Sequence, residues 1–171
     1  MRNPVYVTAD VVVLRGNKVL LIKRKNDPFK GYYALPGGFV EENELVIDAA
    51  VRELFEETNI RVNKERLRFI NYYDDPKRDP RARVITFAFL LVLDEDKDKD
   101  VIETASASDD AKSPFWFSLS DEKQSIKVEQ SIKVEQNLKV ENIIVRFNTE
   151  LKNRIAFDHE RIIEEALRMI C

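Results

Sequence analysis

The chain has 171 residues, of which 44% are hydrophobic and 35% are charged, and its formal net charge at neutral pH is −3. This length and composition predict one domain with a sizeable core, and the slightly acidic balance argues against a nucleic-acid partner. The apolar runs are too short for a membrane span, the N-terminus lacks a secretory signal, and a lone Cys171 cannot form an internal disulfide, so we expect a cytoplasmic protein.

A β-hairpin is the first predicted element. Tyr6–Leu14 is rich in valine, the turn Gly16-Asn17 follows, and Val19–Ile22 resumes the β pattern. Asp27-Pro28 then interrupts this pattern. A glycine-rich turn at residues 36–38 is predicted to lead towards the next element, a helix.

The helix, which is predicted to end near Thr58, has one apolar and one acidic side. At about 100° per residue, its apolar residues gather on the side opposite to the glutamates. The apolar residues are Ile47, Val51, Leu54 and Phe55, with the small Ala49 and Ala50 beside them. The helix can therefore bury one face and offer the other to a cleft.

The acidic face carries Glu53, Glu56 and Glu57 at the spacing i, i+3, i+4. Carboxylates this close repel each other, and a divalent cation is the usual compensation. Hard oxygen donors favour Mg²⁺ or Mn²⁺, which also bridge to phosphates. A merely solvated acidic face is the alternative for three glutamates taken alone.

The second half of the chain begins with two further predicted strands, Leu67–Tyr73 and Val84–Leu93, joined by a charged loop at residues 74–81. The charged stretch Asp94–Asp100 is predicted to be a solvated hairpin tip. Another strand is predicted at residues 115–117, which read Phe-Trp-Phe.

A last amphipathic helix is predicted over about residues 158–170, with Asp158 as its N-cap. Its apolar residues are Ile162, Ile163, Ala166, Leu167 and Ile170. Strands combined with two helices, without regular alternation, indicate an α+β fold. We predict a single domain over residues 1–171.

A sixfold period occurs at residues 125–142, where Ser-Ile-Lys-Val-Glu-Gln appears twice and Asn-Leu-Lys-Val-Glu-Asn follows. Because six is an even number, the apolar residues fall on one face of a strand. This predicts an inserted β-rich repeat over about residues 121–148, near the C-terminus. A duplicated surface insertion without function is one interpretation, and a strand at the edge of a homodimer is the functional one.

The segment from residue 38 to residue 60 closely resembles the Nudix box of the Nudix hydrolases. The matching residues are Gly38, Glu44, Arg52, Glu53, Leu54, Glu56, Glu57 and Ile60. The family has glycine where this chain has Asn59, just past the helix end, where a left-handed conformation is usual and asparagine is tolerated. The resemblance implies the Nudix αβα sandwich with a mixed β-sheet.

The same resemblance implies roles for individual residues. The implied metal ligands, for Mg²⁺ or Mn²⁺, are Gly38 through its carbonyl, Glu53, Glu56 and Glu57. Glu44 and Arg52 are implied to form an ion pair that braces the loop against the helix. Glu53 is the first choice for a catalytic base, and Asp110 or Asp109 is the reserve. A metal-activated water would attack the phosphoanhydride.

Other segments resemble ADP-ribose pyrophosphatases, including the Nudix domain of bifunctional nicotinamide-mononucleotide adenylyltransferase/ADP-ribose pyrophosphatase proteins. The segments that resemble ADP-ribose pyrophosphatases are residues 28–39, 75–81 with 85–86, 109–111 with 115–117, and 157–163. Residues 7–10 and 52–60 resemble the bifunctional proteins in particular. The implied substrate is a small-molecule nucleoside diphosphate, ADP-ribose, hydrolysed to AMP and ribose 5-phosphate.

Single basic and aromatic residues are candidates for binding this substrate. The candidates for phosphate or ribose are Arg24, Arg78 and Arg81. The candidates for stacking on adenine are Phe29, Tyr32 and Tyr73. A surface charge or a core aromatic is the ordinary alternative for each. The one histidine, His159, follows the predicted helix cap and is expected to be structural.

Two other functions fit the sequence. One is a Nudix hydrolase with a different substrate, such as a nucleoside triphosphate or a dinucleoside polyphosphate. The other is a Nudix-like domain that senses ADP-ribose for a transcriptional regulator. Such regulators add a basic DNA-binding module, whereas the residues after Phe117 are nearly balanced in charge, and the intact glutamate cluster favours an enzyme.

Overall fold

The computed structural model describes residues 4–106, 114–119, 151 and 153–170. The strands are β1 Val5–Arg15, β2 Lys18–Lys23, β3 Tyr33–Ala34, β4 Gly37–Phe39, β5 Arg68–Tyr73, β6 Arg83–Leu93 and β7 Phe115–Ser118. The helices are α1 Val46–Thr58, α2 Lys99–Ser106 and α3 His159–Arg168, with a 3-10 turn at Lys64–Arg66. The predicted repeat, Asp109, Asp110 and Cys171 lie outside the described residues.

Strand β1 organises a mixed sheet with the order β3-β2-β1-β6-β5. It runs parallel to β6 over its whole length, and its other edge pairs with β4 and then with β2, both antiparallel. Strand β7 pairs with β2. The predicted N-terminal hairpin and the strands at β5, β6 and β7 are confirmed.

The two faces of the sheet are covered by different helices. Val11 and Val13 pack with α1 and α2, whereas Val12 and Leu14, which point the other way, pack with α3. All four side chains are almost fully buried, so β1 shows a continuous apolar run instead of an alternating one. This arrangement is the expected αβα sandwich. None of the helices in the described ranges is long and apolar enough to cross a membrane.

The segment predicted as a glycine-rich turn is instead strand β4. It pairs with β1 from Thr8↔Phe39 to Asp10↔Gly37. A Cβ atom on Gly37 would overlap the carbonyl oxygen of Ala9 and the carboxylate of Asp10. The missing side chain therefore lets two backbones come together where a turn was expected.

Helix α1 approaches the sheet through its smallest residues. Ala49, Ala50 and Leu54 have no exposed surface, while Ile47, Val51 and Phe55 are only partly buried. The apolar side of the helix was therefore predicted correctly, but its most buried part is formed by Ala49, Ala50 and Leu54. Small side chains at that centre allow the helix to lie close to the strands.

The charged stretch predicted as a hairpin tip instead forms a turn that leads into α2. The Asp94 carboxylate accepts hydrogen bonds from the backbone N–H groups of Asp96 and Lys97 at 3.0 and 3.1 Å. Asp98 accepts two bonds from Arg66 at 2.7 and 2.8 Å, and this contact lowers the pKa of Asp98. The charges thus close a turn and start a helix.

Helix α3 is fastened to the sheet by polar contacts as well as by its buried apolar face. Tyr73 is 3% exposed, and its hydroxyl donates to Glu165 at 2.7 Å. For Tyr73, the structure therefore supports the alternative of a core aromatic over stacking on a ligand. The His159 side chain is also buried, and its Nδ1 accepts a hydrogen bond from the Leu35 N–H at 3.0 Å, which confirms a structural histidine.

Asn59 should show a measurable backbone effect. It ends α1 with φ 59°, and its N–H donates to the Phe55 carbonyl. Asn59→Ala should lower the free energy of unfolding by about 1 kcal/mol, because alanine tolerates the left-handed region poorly, whereas Asn59→Gly should not show this loss. Asn63→Ala is the control, since Asn63 has φ −74° and makes no capping bond. Equal losses in the two alanine variants, measured by urea unfolding, would contradict this explanation.

His159 should make stability depend on pH. Burial lowers the pKa of His159 below its ordinary value of 6.5, so the folded state keeps the ring neutral where the unfolded state takes up a proton. The free energy of unfolding should therefore fall as the pH drops below about 6.5. His159→Gln should flatten this dependence between pH 7 and pH 5 in urea unfolding. Parallel pH profiles for the two proteins would refute the assignment.

Candidate active site

Strand β4 lies directly against the acidic face of α1. The Gly37 N–H donates to Glu57 Oε2 at 2.9 Å. A Cβ atom on Gly38 would overlap the Glu53 carboxylate. Two consecutive glycines thus place the backbone of β4 beside two of the three glutamates that are predicted metal ligands.

Arg52 holds the loop before α1 against the helix. Its Nε and Nη2 donate to the two carboxylate oxygens of Glu44, both at 2.9 Å, and Nη2 also donates to the Phe39 carbonyl at 3.0 Å. The bond with Glu44 is the main cause of a raised pKa for Arg52, and the same bond lowers the pKa of Glu44. The predicted ion pair is present.

The glutamates share one helical face but do not converge on a point. Arg52 Nη1 donates to Glu53 at 2.8 Å and lies 3.5 Å from Glu56, whose side chain is 53% exposed. Glu57 faces Gly37 instead. Within the described ranges, no three acidic, histidine or cysteine side chains are gathered as a metal site. The sequence therefore located the carboxylates but not their separate hydrogen bonds.

The donor atoms nevertheless fit a hard divalent cation. Carboxylate oxygens of Glu57 and Glu53 lie beside the backbone of Gly37 and Gly38, and an added Cβ atom on Gly38 would overlap the Glu53 carboxylate. Carboxylates and backbone carbonyls are the ligands that Mg²⁺ and Mn²⁺ accept.

A buried carboxylate behind β4 was missed by sequence reasoning. Asp10 is 6% exposed, and its Oδ2 accepts a hydrogen bond from the hydroxyl of the fully buried Thr86 at 2.5 Å. His159 Nε2 lies 3.8 Å from the same oxygen. The available signal was an acidic residue inside a valine-rich strand, which needs polar partners when buried.

The three candidate arginines have different partners. Arg78 is buried and donates to Asp158 at 3.0 and 2.6 Å, which does not support the predicted contact with substrate. Asp158 occupies the N-cap position of α3 as predicted, but it accepts these bonds instead of capping the helix. Arg81 donates to Asp79 at 3.0 and 2.6 Å. Arg24 donates to the Pro28 carbonyl at 2.8 Å.

Phe157, which was not a candidate, lies at the centre of the remaining candidates. The guanidinium carbons of Arg24 and Arg81 are 4.8 and 5.6 Å from its ring centroid, and the Phe29 ring is 4.9 Å away. The partly exposed Tyr32 packs on Phe29 at 5.7 Å. The fold thus joins four predicted substrate residues into one cluster, while Arg78 is bound elsewhere.

A pocket of about 280 Å³ is lined by one member of this cluster, Arg24, and by Glu57 of the acidic helix. It is lined by Ile22, Lys23, Arg24, Lys25, Asn26 and Glu57. A larger groove of about 580 Å³ is lined by residues 5–7, 39–42 and 44, but by none of the three helix glutamates. Of these two pockets, the smaller one combines basic residues with a predicted metal ligand.

Known proteins resemble this chain over almost its whole length. An ADP-ribose pyrophosphatase of Methanocaldococcus jannaschii is 39% identical over 163 residues, which is 95% of this chain and 73% of that protein. A MutT/nudix family protein from Enterococcus faecalis has a TM-score of 0.69 and 33% identity, over 99% of this chain and 63% of the other.

A bifunctional NMN adenylyltransferase/ADP ribose pyrophosphatase from Francisella tularensis, complexed with AMP and Mn ion, has a TM-score of 0.66 and 30% identity. The match covers 98% of this chain but 42% of the other, so this chain spans less than two thirds of both structural relatives. The family model described as NUDIX domain matches residues 5–138. The chain belongs to the NUDIX family and is a Nudix hydrolase.

Proposed function

We propose that this Nudix hydrolase cleaves the diphosphate of ADP-ribose, with Mg²⁺ or Mn²⁺ bound, to give AMP and ribose 5-phosphate. The observation that carries the proposal is the contact of Gly37 and Gly38 with the Glu57 and Glu53 carboxylates. The similarity to the M. jannaschii ADP-ribose pyrophosphatase, over 95% of the chain, supports the choice of substrate.

The metal-binding residues in this proposal are Glu53, Glu56, Glu57 and the Gly38 carbonyl. A bound divalent cation would neutralise phosphate charge and lower the pKa of a water molecule. Glu57 is held in place by the Gly37 N–H, and Glu53 by Arg52. Their rotamers are therefore fixed before the substrate arrives, which reduces the cost of forming the reactive arrangement.

Glu53 is our candidate for the group that accepts the proton from the attacking water. Its side chain is 16% exposed and lies between Arg52 and Gly38, so it is sheltered next to the diphosphate-binding region. Water attack on one phosphorus breaks the phosphoanhydride bond, and the proton released by the water passes to this carboxylate. Asp110 and Asp109, which lie outside the described residues, remain the alternative bases.

The substrate-binding residues in this proposal are Arg24, Arg81, Phe29 and Tyr32, gathered around Phe157. Guanidinium groups suit phosphate oxygens, and aromatic rings suit a nucleobase or ribose face. The loop at residues 74–81 contributes less than its sequence suggested, because Arg78 pairs with Asp158 and Asp79 pairs with Arg81.

Glu57→Gln tests the metal site. The glutamine oxygen can still accept the Gly37 N–H, so the fold should be kept while one anionic ligand is lost. We expect kcat with Mg²⁺ to fall by at least about a hundredfold. Glu65→Gln, on the exposed 3-10 turn, is the control and should keep the activity. Wild-type turnover of a folded Glu57→Gln protein at saturating Mg²⁺ would overturn the metal assignment.

A substrate panel tests the reaction. ADP-ribose should give a higher kcat/KM than ATP or dinucleoside polyphosphates, with AMP and ribose 5-phosphate as the products identified by chromatography. Faster hydrolysis of ATP would reject the substrate choice and leave the family assignment intact. Tight binding of ADP-ribose without turnover would instead indicate a sensing domain.

A further inference from the structure

Three consecutive residues at the start of β4 are each bound to a different element of the fold. The Leu35 N–H donates to His159 Nδ1 of α3 at 3.0 Å. The Pro36 carbonyl accepts a backbone hydrogen bond from β1 at 2.9 Å. The Gly37 N–H donates to Glu57 Oε2 of α1 at 2.9 Å. One short run of backbone therefore connects α3 with a predicted metal ligand.

The contact with α3 is the most buried of these three hydrogen bonds. His159 is 4% exposed and Leu35 is 1% exposed, so an N–H left without its acceptor here would be costly. Burial lowers the pKa of His159 and keeps the ring neutral. Because Nδ1 accepts the Leu35 N–H, the ring proton is on Nε2. His159 is therefore an acceptor with a fixed tautomer.

Asp10 holds the other side of the His159 ring. His159 Nε2 lies 3.8 Å from Asp10 Oδ2, which is too long for a hydrogen bond but close enough for electrostatic attraction. Thr86 fixes the same carboxylate oxygen by donating to it at 2.5 Å. A Cβ atom on Gly37 would overlap the Asp10 carboxylate, so Asp10 also lies directly against β4. Its carboxylate attracts the Nε2–H and keeps Nδ1 directed at Leu35.

Strand β4 separates this pair of residues from the predicted metal ligands. Asp10 shares the face of β1 that carries Val12 and packs with α3, whereas Glu57 belongs to α1 on the opposite face. Asp10 and His159 can therefore affect a metal ion only through the backbone of β4. Residues that orient metal ligands without touching the metal commonly change the metal affinity when they are replaced.

We propose that His159, oriented by Asp10, is a positioning residue for the metal site. It fixes Leu35, and through the next two residues it places the Gly37 N–H where Glu57 accepts it. The contact that attaches α3 to the sheet thus also sets the geometry of a metal ligand. The identity of the metal ligands rests on the proposed function, but metal binding can be measured without substrate.

The test is Mn²⁺ binding to the folded protein without substrate, measured by electron paramagnetic resonance of the free ion. His159→Leu removes the acceptor of the Leu35 N–H, so the Kd for Mn²⁺ should rise by about tenfold. His159→Asn should restore much of the affinity, because its amide oxygen is as many bonds from Cβ as Nδ1 is and can accept the same N–H.

Hydrolysis gives a second readout. The Mg²⁺ concentration that gives half-maximal hydrolysis of ADP-ribose should rise in His159→Leu together with the Kd for Mn²⁺. The KM for ADP-ribose at saturating Mg²⁺ should stay close to the wild-type value, because the changed contact lies behind β4 and not at the substrate.

Tyr73→Phe is the matched control. It removes another buried hydrogen bond between the sheet and α3, the one from Tyr73 to Glu165, and Tyr73 belongs to β5, which does not pair with β4. This variant should lower the free energy of unfolding but keep the wild-type Mn²⁺ affinity. Equal losses of affinity in Tyr73→Phe and His159→Leu would attribute the effect to loosening of α3 as a whole and would overturn the proposal.

Wild-type Mn²⁺ affinity in a folded His159→Leu protein would also overturn the proposal. Should His159→Leu fail to fold, His159→Gln decides, because its amide lies one bond beyond the Nδ1 position; unchanged affinity in that variant would reject the positioning role. Mn²⁺ binding that depends on His159, in a protein that does not hydrolyse ADP-ribose, would refute the substrate and support the positioning role. Hydrolysis of ADP-ribose with unchanged Mn²⁺ affinity in the variants would refute the positioning role alone.

Discussion

The close approach of β4 to both β1 and α1 is the constraint on which the site depends. Gly37 lies where a side chain would strike Ala9 and Asp10 of β1, and Gly38 lies where one would strike Glu53 of α1. Any side chain at these two positions would separate the sheet from the acidic helix. The sandwich and the arrangement of carboxylates thus depend on the same pair of missing Cβ atoms.

Arg52 compensates the negative charge that the glutamates place near β4. A helix face with several glutamates is unfavourable in a partly buried place unless cations lie close to it. Arg52 contacts Glu44, Glu53 and Glu56 at 2.8 to 3.5 Å, so one guanidinium compensates carboxylates on the loop and on the helix. The same residue, Arg52, therefore orients the glutamates of the helix and attaches the preceding loop to them.

Local patterns predicted most of the fold, because strands and helices follow the spacing of apolar residues. The Nudix box located the acidic helix and the Glu44–Arg52 pair, and Asn59 adopts the left-handed conformation expected for it. The errors came from tertiary contacts. The sequence could not show that Gly37 and Gly38 would pair with β1 or that Asp98 would pair with Arg66.

Partners are harder to predict than elements, since pairing joins residues far apart in sequence. The partner of Arg78, Asp158, is 80 residues away in the chain. The residues next to Arg78 in the sequence therefore do not show that its partner differs from that of Arg81. Phe157 was not predicted, because only the folded structure shows that its ring contacts Arg24, Arg81 and Phe29. The single-domain organisation, a homodimer, a cytoplasmic location and the absence of a nucleic-acid partner remain predictions, because they concern the whole protein and its environment instead of local spacing.

The hydrogen bond from Leu35 to His159 spans 124 residues and has a consequence for the order of folding. The hairpin of β1 and β2 can form early, because its strands are neighbours in sequence. The Leu35 N–H, just before β4, obtains its buried acceptor, His159 Nδ1, only when α3 docks on the sheet. During synthesis, the acidic helix and its glycines would emerge from the ribosome well before this support. We therefore expect catalytic competence to appear only after α3 has been synthesised and has docked on the sheet.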